Sequence, residues 1–224
     1  MSATSSGTDL GWGQGTALVV VDVQNDFADP GGGLAVAGGE QVVSECAALL
    51  RAAHAAGSPV VLTQDWHPAE TPHFERYGGV WPVHCVAGTW GAQLHPGLPL
   101  AEVGVDPDAD DAPVVRKGVD GGDGYSGFSV RDPRTGEQEP TALERLLRDR
   151  DVTRVVVAGL AGDVCVKETA LDATRLGFAT VLPLAATRFV AEDPQAWRAV
   201  TEELATAGVE VRGELPPVPD PAAS

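Results

Sequence analysis

Five consecutive apolar residues, Ala17-Leu18-Val19-Val20-Val21, run without a break into a carboxylate, Asp22. A run with no polar alternation suits a strand buried on both faces, and such strands belong to parallel sheets covered by helices. The pattern recurs at residues 60–63, 114–117, 154–159, 179–182 and 209–211. Segments of helical period separate these runs at 40–56, 141–150, 164–176 and 194–207. In the first of them Val43, Ala47, Leu50 and His54 share a face and Gly57 ends the helix. In the last, Asp193 reads as the N-cap and Pro194 as the first helical position. This alternation predicts an α/β fold: a single-domain three-layer sandwich with a six-stranded, mostly parallel sheet and helices on both faces.

The 224 residues suffice for one such domain, expected over 16–213. A mobile N-terminal tail is expected over 1–15 and a Pro-rich C-terminal tail over 214–224. The formal net charge of −17 disfavours binding to nucleic acid or an anionic lipid surface, both of which want a basic patch. No apolar run reaches the ~18 residues of a membrane span. Residues 1–15 lack the basic start and apolar stretch of a secretory signal. Three cysteines, an odd number, argue against a disulfide framework and for a reducing, cytoplasmic setting. A homo-oligomer is left open.

Open parallel sheets bind ligands outside the carboxyl ends of their strands. Asp22, Asp65, Lys117 and Cys165 each stand at or just past such an end. Lysine is scarce here: Lys117 and Lys167 are the only two. Cys165 lies in Gly162-Asp163-Val164-Cys165 at a strand-to-helix junction, with Asp163 a fair N-cap. A cysteine in a first helical turn meets free N–H groups and the helix dipole, which favour a thiolate and can stabilise an oxyanion. Cysteine is also an ordinary packing residue in cores. With Asp22 as base and Lys117 to stabilise charge, the set points to a cysteine-nucleophile hydrolase, and no histidine follows in a papain-like arrangement.

Residues 64–100 form a long excursion rich in Trp, His, Pro and Gly, and segments of that kind are usually functional. Asp65 and His67, two apart, leave the same face of a strand end, and His73 and His84 follow. One Asp with three His suits a divalent ion: zinc first, or iron or manganese if waters complete an octahedron. Cys85 reads as packing, His95 as a structural hydrogen-bonder, and His54 as core or surface.

Asp22-Val23-Gln24-Asn25-Asp26-Phe27, followed by Gly33-Leu34, resembles the opening of the isochorismatase-like cysteine hydrolases. Asp65-Trp66-His67-Pro68 and Trp81-Pro82-Val83-His84-Cys85-Val86 are similar to the nicotinamidase (pyrazinamidase) branch of that superfamily. Arg116-Lys117-Gly118, Tyr125-Ser126-Gly127-Phe128 and Ala161-Gly162-Asp163-Val164-Cys165-Val166 complete the pattern. The resemblance implies an Asp22-Lys117-Cys165 triad and a metal held by Asp65, His67, His73 and His84. It further implies a cis peptide before Ala161, an oxyanion hole from the Ala161 and Cys165 N–H groups, and a pyridine ring between Phe27 and Trp81. The implied reaction is hydrolysis of nicotinamide, and of pyrazinamide, to the acid and ammonia through a thioester, in NAD salvage. Another small-amide hydrolase on the same scaffold is the alternative. Gly162 departs from a Thr common in the family, and Val164 from a polar residue or His in some members.

Overall fold

The computed structural model describes residues 10–132 and 134–216. The main sheet contains β1 (Thr16–Val21), β2 (Val60–Asp65), β3 (Val114–Lys117), β6 (Arg154–Leu160), β7 (Ala179–Pro183), β8 (Thr187–Arg188) and β9 (Glu210–Arg212). Two strands stand apart as an antiparallel pair, β4 (Ser129–Arg131) and β5 (Gln138–Pro140). Helices are α1 (Asn25–Ala28), α2 (Gly39–Ala55), α3 (Leu143–Arg148), α4 (Cys165–Arg175) and α5 (Pro194–Thr206).

The main sheet runs β3-β2-β1-β6-β7-β9, with β8 also pairing with β6, and every pairing in it is parallel. The unbroken apolar runs are explained by this burial. In β1, Leu18 and Val20 enter the core layer that contains the α2 side chains. Ala17, Val19 and Val21 enter the opposite layer, with side chains of α3, α4 and α5. The six expected strands are present, and β8 adds a seventh. The β4–β5 pair was not foreseen, because Gln138-Glu139-Pro140 is polar and exposed throughout.

Chain order leaves β1 for β2 and β3 on one side, then resumes at β6 for β7 and β9 on the other. The sheet therefore changes direction between β1 and β6, where a crevice opens at the carboxyl ends. These two strands pack closely at that end. Gly159 pairs with Val21 and has φ +127, and a Cβ there would sit 2.0 Å from the Val21 carbonyl oxygen.

Two local expectations need correction, and His54, left open between core and surface, now has its place. Residues 1–9 of the expected tail lie outside the described residues, but Leu10 is fully buried and the Gly13 N–H donates to Ser58 Oγ at 2.8 Å. The stretch 10–15 is thus packed onto the domain. His54 is exposed; α2 buries Val42, Val43, Cys46, Ala47, Leu50 and Ala53 instead. Asp163 does not cap α4. Its carboxylate accepts the N–H groups of Val190 at 2.9 Å and Ala191 at 2.8 Å. Asp193 does cap α5, accepting from the Gln195 N–H with Pro194 in the first turn. Of the expected C-terminal tail, 217–224 lie outside the described residues. Among the described residues, no helix is long and apolar enough to cross a membrane.

Candidate active site

The end of β1 places Asp22 in a left-handed backbone conformation, φ +49, which aspartate tolerates better than most residues. Thr63 of β2 holds it from the side. The Asp22 N–H donates to Thr63 Oγ1 at 3.2 Å, and the Thr63 hydroxyl donates to Asp22 Oδ1 at 2.5 Å. Lys117, the last residue of β3, is the hub of the site. Its Nζ lies 2.8 Å from Asp22 Oδ2, 2.8 Å from Asp65 Oδ1, 3.3 Å from the Tyr125 carbonyl and 3.7 Å from Cys165 Sγ. One oxygen of Asp22, one of Asp65 and the Cys165 sulfur all lie within 4.8 Å of one another. The structure therefore brings together Asp22, Lys117 and Cys165 as the strand ends suggested.

Burial sets the protonation of this cluster, because low dielectric penalises every charge that lacks a partner. It raises the Asp22 pKa even against the pull of Lys117. It also pushes the Cys165 thiol well up, with Asp22 and Asp65 adding to the effect and Lys117 opposing it. For Lys117, burial works against the ammonium, but Asp22, Asp65 and Cys165 outweigh it and keep the group charged. For Asp65, burial is overcome by Lys117 and then by His67, so its carboxyl stays ionised below the usual range. Burial and the neighbouring carboxylates thus favour the thiol form of Cys165 against the helix start, and Asp22 lies within reach of its proton.

Cys165 opens α4 four residues after Ala161, whose peptide bond with Leu160 is cis. Neither the Ala161 nor the Cys165 N–H has a backbone partner among the described residues. Both belong to the short turn that carries the sulfur, so two free donors flank it.

The excursion after β2 gathers three imidazoles. One nitrogen each of His67, His73 and His84 lies within 4.8 Å of the others, and all three rings are buried. His84 Nδ1 donates to the Pro82 carbonyl at 2.7 Å, and burial lowers its pKa to about 4, so it is a neutral donor with Nε2 free. His73 Nδ1 lies 2.8 Å from Asp123 Oδ1, a bond that holds the Asp123 carboxyl at about 2. Both nitrogens of His67 are buried without a hydrogen-bond partner. Buried polar atoms are rarely left so. Asp65 Oδ2 stands 3.8 Å from His67 Nε2, while its other oxygen faces Lys117. Asp65 therefore borders both clusters. Gly118, at φ +79, keeps this corner open, since a Cβ there would lie 2.6 Å from His67 Nδ1. A neutral His84, the His73 ring, the orphaned His67 ring and the ionised Asp65 carboxylate make a donor set able to hold a divalent metal.

A narrow, mainly apolar pocket joins the two clusters. Phe27 and Trp81 line it, along with Asp65, His73, His84, Tyr125 and Cys165. Asp26 fixes the near wall by accepting the Gly33 N–H at 2.8 Å and the Cys85 N–H at 2.6 Å, next to Phe27 and His84. Cys85 itself is buried in the core, as expected of a packing residue. Sequence reasoning missed the parts played by Thr63, Asp123 and Tyr125. Tyr125 stood inside a recognised motif, but its hydroxyl accepting the Trp81 indole N–H at 3.1 Å had no sequence signal.

Residues 16–213 match the family described as the Isochorismatase domain. The nicotinamidase/pyrazinamidase of Mycobacterium tuberculosis is 41% identical over 198 residues, 87% of this chain and 97% of that protein. Among solved structures, the pyrazinamidase of Pyrococcus horikoshii in complex with zinc has a TM-score of 0.75 at 33% identity, over 89% of this chain and 99% of that one. A protein of L. infantum in complex with nicotinate also has a TM-score of 0.75, at 39% identity over 90% of this chain and 94% of that one.

Proposed function

The chain belongs to the isochorismatase family, and on that footing we propose that it is a nicotinamidase, hydrolysing nicotinamide to nicotinate and ammonia and accepting pyrazinamide. The observation that carries this reading is one pocket lined by Cys165 together with Asp65, His73 and His84 of the donor set. A flat ring between Phe27 and Trp81 would present its carboxamide to Cys165 and its nitrogen to the donor set. Asp65, His67, His73 and His84 would hold one divalent ion, zinc in the first instance, whose chemistry there is to give the ring nitrogen a ligand point.

The rest of the reaction is assigned to this chain's own groups. Asp22 takes the thiol proton of Cys165 while the Lys117 ammonium steadies the developing charge. The sulfur attacks the amide carbon, and the resulting oxyanion faces the Ala161 and Cys165 N–H groups. Asp22 returns its proton to the nitrogen, the C–N bond breaks, and ammonia leaves a thioester. Asp22, a carboxylate again, then draws a proton from a water that attacks the thioester carbon. The C–S bond breaks, the proton on Asp22 returns to sulfur, and the acid departs, giving its remaining proton to solvent as nicotinate. Release of nicotinate fits a role in NAD salvage. The three free cysteines support a reducing, cytoplasmic setting.

Benzamide tests the substrate assignment. It has the same outline and the same amide but no ring nitrogen. A site built around a heteroatom rejects an isostere lacking it far more than a site that reads shape. Ammonia release should be brisk from nicotinamide and pyrazinamide and poor from benzamide. A comparable kcat/KM for benzamide would favour a less selective small-amide hydrolase.

A further inference from the structure

The three imidazoles of the donor cluster are anchored in three different ways. His84 Nδ1 is held by a carbonyl, that of Pro82, and His67 has no hydrogen-bond partner at either nitrogen. His73 alone is held by a carboxylate: its Nδ1 lies 2.8 Å from Asp123 Oδ1, fifty residues along the chain. Asp123 sits in the Gly-rich loop between β3 and β4 and is itself fixed on several sides. Its carboxylate accepts the Gly124 N–H at 2.9 Å and the Arg131 guanidinium at 3.3 Å. Its backbone exchanges two hydrogen bonds with Arg131 of β4, at 2.6 and 2.5 Å. Two residues on, the same loop reaches the triad and the pocket: the Tyr125 carbonyl accepts from Lys117 Nζ, and the Tyr125 hydroxyl accepts from Trp81.

We infer that Asp123 is a positioning residue for His73. It keeps the proton on Nδ1 and the lone pair on Nε2, turned toward His67 and His84, and the β4–β5 pair braces it for that purpose. A carboxylate behind a ligating imidazole fixes its tautomer and ring orientation and raises its basicity. The loop from Asp123 to Tyr125 is thus one rigid piece shared by the donor cluster, the ring-binding wall and Lys117. This inference deepens the reading of the site given above and rests on the three histidines holding a divalent ion.

Two measurements on the purified full chain decide it. The first is competition for zinc between the stripped protein and a chromophoric chelator. D123N, which keeps the side-chain shape, and D123A should both weaken zinc binding by about 10- to 100-fold. R131A, which leaves the His73–Asp123 pair in place, should weaken it less. The second is the His73 tautomer in the metal-free chain, read by nitrogen-15 NMR. It should be Nδ1–H in the wild type and should lose that preference in D123A, a change that a merely structural role would not produce. Wild-type zinc affinity in both Asp123 variants, or an unchanged tautomer in folded D123A, would overturn the inference. A wild-type chain that binds no zinc would instead overturn the metal reading, and the tautomer would still decide for or against Asp123.

Discussion

Asp65 and Lys117 are register partners on neighbouring parallel strands, and their carboxylate and ammonium meet at 2.8 Å. The same ammonium lies 2.8 Å from Asp22, so one buried cation compensates two buried anions. Lys117 therefore has a structural role beside the chemical one proposed for it.

Lys117→Met should cost stability as well as activity. It leaves Asp22 and Asp65 facing each other without a counter-charge, and removing one member of a buried pair typically costs ~3–5 kcal/mol. Urea denaturation measures this. A loss below ~1 kcal/mol would contradict the electrostatic role. Lys117→Arg should not rescue turnover, because a planar guanidinium is a poor substitute for a compact ammonium between two carboxylates and a thiol.

How far these roles can be read from sequence depends on their range along the chain. Asp22, Lys117 and Cys165 were legible because each follows an apolar run that parallel sheets demand, and strand ends converge. His67, His73 and His84 were legible as a cluster confined to one excursion. Asp123 was not: it is one of 32 acidic residues, and nothing local ties it to His73. The same limit explains Asp163. Its place before a helix suggested a cap, but the chain returns at Val190 and Ala191 and claims the carboxylate. His54 was left open between core and surface; it is exposed because Ala53, one residue earlier, is the position that turns inward.

Thr63→Val should move the acid limb of the kcat/KM profile to higher pH. Burial raises the Asp22 pKa above its ordinary value, while the Thr63 hydroxyl and Lys117 pull it down. Removing the hydroxyl takes away a bond to the ionised form, so the pKa rises further. The base is then protonated, and activity lost, at a higher pH than in the wild type. The sign for stability follows: a raised carboxyl pKa favours the fold at low pH, and that contribution fades as pH climbs through the folded value. Thr63→Ser keeps the hydroxyl and should keep the wild-type limb. An unmoved limb in Thr63→Val would refute the assignment of Asp22 as base.

Loading with a divalent metal should raise the melting temperature, since a ligand of the folded state stabilises it by ~2.7 kcal/mol at a hundredfold excess over Kd. The purified chain should carry about one ion, as the four-donor reading requires. His67→Ala should lose both the ion and the thermal shift, because His67 has no other partner to compensate. No bound metal, and activity indifferent to chelators, would count against the donor assignment.

Gly162 offers a separate test of the wall behind the nucleophile. A Cβ there would lie 3.0 Å from both Phe189 Cε1 and Thr187 Oγ1, and the Thr187 hydroxyl is buried without a partner. Gly162→Ser can supply that partner, whereas Gly162→Ala adds the same crowding and nothing else. The serine variant should be the more stable by about 1 kcal/mol. An alanine variant equal to or above it in stability would show that Thr187 gains nothing from a neighbour at this position.

In the proposed reaction Cys165 carries the acyl group. Cys165→Ala should lose at least ~10³-fold in kcat while staying folded, and Cys46→Ala should be mild, since burial holds that thiol at about 12, away from the site. The most direct measurement is acid-quenched mass spectrometry of the enzyme during turnover of nicotinamide. A nicotinoyl adduct should appear on the peptide that contains Cys165 and be absent when nicotinamide is withheld. Steady release of ammonia with no adduct on that peptide, and with Cys165→Ala turning over near the wild-type rate, would contradict this role of Cys165.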